Sequence, residues 1–188
     1  QSAKTMADYA EQQGFKVERG VAEMPTAFVA SYGEGRPIIG ILGEYDALPG
    51  ISQKAQSGKE ALVAGAPGHG CGHNLLGTAS MGAAVAIKEM IAAGKLEGTS
   101  RYYGTPAEEA VGGKVYMLRA GLFKDVDIVL AWHPATKVNV DTAGGQAIVD
   151  TIHGEDQYVL AEMDLKPDGE PHELGCDPLN DEILDLLG

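Results

Sequence analysis

The sequence is poor in cysteine, in aromatic residues, in long apolar runs and, toward its end, in basic residues. Cysteine occurs only at Cys71 and Cys176 of 188 residues, which excludes a disulfide framework. That usage suits a reducing compartment, so a cytoplasmic location is expected. Aromatic residues reach 6 %, with a single tryptophan, whereas the 26 glycines point to many tight turns. No run of about 18 apolar residues occurs and no charged-then-apolar leader opens the chain, so neither a membrane span nor a secretion signal is expected. Residues 141–188 hold one basic residue, Lys166, against 13 acidic ones. Residues 1–140 are nearly balanced, with 14 acidic and 13 basic residues. The net charge of −13 therefore sits almost wholly in the last quarter, and it excludes nucleic acid and anionic membrane as partners. The same shift marks a boundary. Residues 1–140 read as one domain and residues 141–188 as an acidic segment of uncertain structure.

What is present is enough for one core. The chain is 44 % hydrophobic, and a chain of this length buries about 70 % of its unfolded surface. Ala3, Met6, Ala7 and Ala10 share the face of a helix that Gly14 stops. Strands are predicted at 15–18, 27–32, 37–43, 99–104 and 126–132, the third an almost unbroken apolar run suited to burial on both faces. Helices are predicted at Leu75–Ala93 and over 111–121. In the first of these, Leu75, Leu76, Ala79, Ala83, Ala86, Ile87, Met90 and Ile91 form the expected buried stripe. The alternation predicts an α/β fold with a mostly parallel sheet covered by helices. Beyond residue 140, strands are expected at 147–149 and 158–160 and a short helix at 181–187.

Chemistry-bearing residues fall where such strands end. Glu44 and Asp46 follow the third strand, Glu108 and Glu109 follow the fourth, and His133 follows the last. In open α/β sheets the carboxyl ends of strands are where sites are built. Between them lies Pro67-Gly68-His69-Gly70-Cys71-Gly72-His73-Asn74, whose glycines let a tight backbone aim a thiol and an imidazole at one point. Taken alone, this stretch reads first as a metal loop, with a plain glycine turn and a reactive-cysteine loop as the alternatives. The Glu-Glu pair is by itself an ordinary helix start, and a His before Pro an ordinary loop residue. Their coincidence at neighbouring strand tips points to a metal. Cys71, His73, Glu109 and His133 form a sulfur, nitrogen and oxygen set able to hold one or two divalent ions. Adjacent side chains diverge, which leaves Glu108 for proton transfer and Asp46 for orienting a ligand.

Gly43-Glu44-Tyr45-Asp46-Ala47-Leu48-Pro49, Gly68-His69-Gly70-Cys71-Gly72-His73-Asn74, Pro106-Ala107-Glu108-Glu109 and Trp132-His133-Pro134 resemble, in order and spacing, the motifs of the co-catalytic metallo-amidohydrolases. That family includes auxin-conjugate and hippurate hydrolases, aminoacylases and carboxypeptidases, and the likeness is greatest to its aminobenzoyl-glutamate hydrolase branch. It runs over residues 1 to 135. The resemblance implies two divalent ions, zinc or manganese, held by Cys71, His73, Glu109 and His133. It further implies Glu108 as the base on a metal-bound water and Asp46 as the supporting acid. The expected reaction is hydrolysis of the amide bond of an N-acyl amino acid or an aminobenzoyl-glutamate-like substrate, with homo-oligomers in the full-length protein. Family members also carry a lid domain and a further histidine ligand. Residues 141–188 show neither in a family-like context, His153 and His172 included. The reading is thus a catalytic-domain fragment lacking its lid, with an inactive metal-binding remnant or a Cys71-dependent amidase as the other possibilities.

Overall fold

The computed structural model describes residues 1–133, together with the backbone of two short strands at 147–148 and 161–162. Helix α1 (Ser2–Gln12) buries Ala7 and Ala10, the face read from the sequence, and Gly14 turns the chain at φ +87° into β1 (Lys16–Arg19). A short 3-10 turn, Val21–Glu23, leads to β2 (Phe28–Glu34) and β3 (Ile38–Glu44). After a long loop come α2 (His73–Ala92), β4 (Gly98–Thr105), α3 (Gly113–Arg119) and β5 (Ile128–Leu130). The last two strands, β6 (Ala147–Ile148) and β7 (Ala161–Glu162), pair antiparallel with each other. The expected strand at 147–149 thus coincides with β6. The expected strand at 158–160 and helix at 181–187, with His153, His172 and Cys176, lie outside the described residues.

The main sheet runs β1-β2-β4-β3-β5. Strand β3 is parallel to both β4 and β5, whereas β1–β2 and β2–β4 are antiparallel. The α/β class holds, with a mixed sheet whose parallel part is the half that carries the chemistry. Gly43 lies opposite Gly104 and Glu44 opposite Thr105. That register brings the polar tails of β3 and β4 out level at one edge, and β5 delivers His133 to the same edge.

Side chains alternate across the sheet, as the pleat requires. Phe28, Ile41 and Tyr102 join Phe15, Met81 and Ala84 under α1 and α2. Val29, Leu42 and Tyr103 join Met117, Phe123 and Val126 beside α3. The scarce aromatics are concentrated here: Phe28 stacks on Tyr102 at 5.5 Å between ring centres, and Tyr103 lies 4.4 Å from Phe123.

Helix α2 corrects the predicted stripe. Its buried residues are His73, Leu76, Gly77, Ser80, Met81 and Ala84, while Leu75, Ala79, Ala83, Ala86 and Met90 face outward. The helix starts two residues earlier than predicted, and its inward face runs from the imidazole at its first position through Leu76, Ser80 and Ala84. By length and apolar composition α2 also meets the criterion for a membrane-crossing helix. Core helices meet the same criterion, and α2 packs along β3 and β4. Gly77 permits close approach: a Cβ there would stand 2.5 Å from the Glu44 carbonyl oxygen.

Candidate metal centre

Each group at the sheet edge arrives by a different local device. Glu44 ends β3, and the next two residues swing Asp46 inward. Leu48 and Gly68 exchange backbone hydrogen bonds of 3.0 and 2.9 Å, which closes the neck of the intervening loop. Gly72, at φ +81°, then turns the chain into α2, a conformation glycine adopts without strain. After β4, Ala107 takes φ +58°, unusual for a residue with a Cβ, and its carbonyl accepts from the N–H groups of Val111 and Gly112. Strain of this kind concentrates at functional turns.

These devices converge on His73, which is fully buried. Its Nδ1 lies 2.9 Å from Asp46 Oδ1. An ionised carboxylate only accepts, so Nδ1 carries the hydrogen and, in the neutral imidazole that a cation requires, Nε2 presents its lone pair. The second Asp46 oxygen accepts from the Glu109 N–H at 3.0 Å, locking the two motifs together. Around Nε2 stand Glu44 Oε2 at 3.2 Å, Glu108 Oε2 at 3.8 Å and Glu109 Oε1 at 3.9 Å. Cys71 Sγ lies 3.2 Å from His133 Nε2, and the two histidine rings are 5.8 Å apart. All six residues singled out in the sequence therefore meet at one place. The adjacent glutamates do not diverge as expected, since their oxygens lie 3.8 and 3.9 Å from the same nitrogen.

Sequence reading gave Glu44 no role and missed Lys114 altogether. Lys114 Nζ lies 2.5 Å from Glu44 Oε1, with both side chains buried. A signal was there: Lys114 shares a helical face with Met117, three residues on, and Met117 is fully buried. Beside the centre a cavity of about 300 Å³ is bordered by Tyr45, His69, His73 and Thr78, and by Thr5 and Met6 of α1.

Electrostatics set the resting state of the groups. Burial, reinforced by Glu44, pushes the Glu108 carboxyl up to about 7, against an opposing effect of Lys114. Burial and the carboxylates of Glu109, Glu108 and Glu44 push the Cys71 thiol up to about 12. Burial opposes charge on His73, but the Asp46 hydrogen bond and the surrounding carboxylates outweigh it and raise its pKa. Burial works against the Asp46 charge too, and there the hydrogen bonds from His73 and Glu109 prevail and lower the pKa.

Among the described residues, five buried side-chain atoms have no hydrogen-bond partner: His73 Nε2, both Glu108 oxygens, Glu109 Oε1 and Thr105 Oγ1. Buried polar atoms are rarely left so, and four of these five are lone-pair donors turned toward one another. That is what a cation requires. Cys71, His73 and His133 bring donor atoms within 4.8 Å of one another, a spacing that fits one.

A mixed α/β sheet with such donors beyond its parallel strand ends places the chain among α/β proteins with a candidate metal centre. Comparison with known proteins narrows the class. Residues 40–178 match Peptidase family M20/M25/M40, so the chain belongs to that family. The match continues past the charge boundary at Asp141. Over 134 residues the chain is 51 % identical to one of the subunits of the p-aminobenzoyl-glutamate hydrolase of Escherichia coli (strain K12), covering 71 % of this chain and 28 % of that protein. It is 36 % identical over 131 residues to the Xaa-Arg dipeptidase of Homo sapiens, covering 60 % and 25 %. Among solved structures it resembles the Bacillus subtilis YXEP protein, a dinuclear metal-binding peptidase of the M20 family. The TM-score is 0.60 at 26 % identity, covering 73 % of this chain and 38 % of that one. The chain thus spans well under half the length of these relatives.

Proposed function

We propose that this chain carries the catalytic centre of a metal-dependent amidohydrolase acting on an N-acyl amino acid or an aminobenzoyl-glutamate-like substrate. The observation that carries the reading is the buried, unpartnered group of donor atoms around His73. Family membership and the activity named for the E. coli relative support the substrate class. Cys71, His73, Glu109 and His133 would hold two divalent ions, zinc or manganese. Ions so placed supply Lewis acidity and make water a stronger acid.

The chain's own residues do the rest. Asp46 keeps the His73 ring in one orientation and one tautomer. Glu108, with a proton affinity near neutrality, is matched to taking a proton from water and passing it to the departing amine. Its carboxylate has no hydrogen bond to surrender first. The neighbouring cavity offers room for part of a small substrate.

The 3.2 Å contact between Cys71 and His133 also supports a second reading, a cysteine amidase. Its weakness is electrostatic. A nucleophilic thiolate needs a lowered pKa, and here burial and the surrounding carboxylates push the thiol the other way. Metal content measured by plasma emission, beside turnover of aminobenzoyl-glutamate and N-acyl amino acids, separates the two. Stoichiometric metal, with hydrolysis abolished by a chelator and restored by zinc or manganese, is the expected result. Turnover that survives complete metal removal would refute the proposal and favour the thiol.

A further inference from the structure

Two ligand sets overlap in this centre. The donor atoms of Cys71, His73 and His133 lie within 4.8 Å of one another, and so do those of Glu44, His73 and Glu108. Both sets draw on His73, whose Nδ1 is committed to Asp46, so both depend on the single lone pair of Nε2. The sets are rivals for an ion at that nitrogen. One offers sulfur and nitrogen, which suit zinc; the other offers nitrogen and two carboxylates, which suit harder ions such as manganese. Distance does not choose between them, because Glu44 Oε2 already lies 3.2 Å from Nε2.

The difference is Lys114. Its ammonium sits 2.5 Å from the other Glu44 oxygen, with the two side chains only 3 % and 7 % exposed. An ion drawn onto Glu44 would face a fixed positive charge with little water between them, where repulsion is strong. We infer that Lys114 selects the metal site: by holding Glu44 in a buried ion pair, it keeps that carboxylate from the ion and commits Nε2 to the Cys71–His133 set. Lys114 is thus a positioning residue. The inference rests on the proposed metal centre and names the residue that shapes it.

Cobalt(II) and zinc–manganese competition on the 188-residue chain test it. Thiolate-to-cobalt charge-transfer absorption reports whether Cys71 is a ligand. The parent should show this band, and Lys114→Met should lose it. The same variant should bind zinc about 10–100-fold more weakly, the usual effect of altering a group that orients ligands, while manganese binding holds or improves. Glu44→Gln, alone or combined with Lys114→Met, should keep the parental band because the rival carboxylate is gone. General damage to the fold would weaken both metals together, so an unchanged zinc-to-manganese ratio in Lys114→Met overturns the inference. Loss of the band in Glu44→Gln overturns it too, by making Glu44 a ligand, and that result does not depend on Lys114→Met folding. A parent that binds no metal removes the centre and this inference together. A parent with the band and a Lys114→Met variant identical to it removes the inference alone.

Discussion

The two ends of β3 are built on opposite terms. At its start, Asp127 accepts from the Ile38 N–H at 2.7 Å and pairs with Arg36, while its own N–H donates to the Ile38 carbonyl. Nearby, Arg101 grips Asp125 with two bonds of 2.7 and 2.9 Å. Polar groups there satisfy one another at the surface. At the other end, four carboxylates, a thiol and two imidazoles crowd together, and among the described residues four of their buried atoms, with Thr105 Oγ1, have no hydrogen-bond partner. The first arrangement holds the strand in place; the second leaves donors waiting for something outside the chain. A single strand thus separates what maintains the fold from what the fold is for.

Breaking the donor-rich end should have the larger consequences. Glu108→Gln is expected to keep its metal and lose hydrolysis by about 10²–10⁴-fold, the usual contribution of a positioned base; steady-state turnover beside metal analysis checks both halves. Asp46→Asn frees the His73 ring and should weaken metal binding by about 10–100-fold in a chelator competition. Unchanged affinity would separate Asp46 from the centre.

Acidity sharpens the contrast further. Folded, Glu108 holds its proton up to about 7, whereas unfolded it releases it near the ordinary value of 4.5. Between those values the folded chain binds more protons, so this group's contribution to stability falls as pH rises through that window. Melting temperatures of the ion-free chain should decline across it, and Glu108→Gln should flatten the decline. A slope that persists in the variant assigns it to another group. The smallest effect belongs to the satisfied end. Arg36→Ala removes a pair in which the arginine is largely exposed, and should cost about 1 kcal/mol or less with no change in metal affinity.

Much of this was legible in the residues because tight turns and buried strands leave strong marks. The apolar run before Glu44 and the glycine-spaced Cys71 and His73 locate β3 and the entry to α2 within a residue or two. The phase of α2 was not legible. Its composition is nearly all small and apolar, so one face contrasts little with another, and the inward-facing residues include a serine and a histidine. Ser80 turns inward to accept a hydrogen bond from Trp132, a partner 52 residues away that no periodicity announces. Lys114 escaped for a related reason, since a buried charge on a helix is explained only by its partner on a distant strand. The six site residues were readable as a set because their order along the chain matches a family's motifs. Their distances, and the rivalry over His73, required the fold.

The link between Trp132 and Ser80 has a practical side. The chain's one tryptophan precedes His133 directly, and its indole N–H donates to the Ser80 hydroxyl at 3.0 Å, fastening the end of β5 to the buried face of α2. A backbone shift that draws His133 toward or away from the centre would carry its neighbour Trp132 with it and strain that bond. The sequence thus places a natural fluorophore beside His133: with no second indole among these 188 residues to dilute the signal, a change of emission on adding zinc is the expected sign that this strand end shifts.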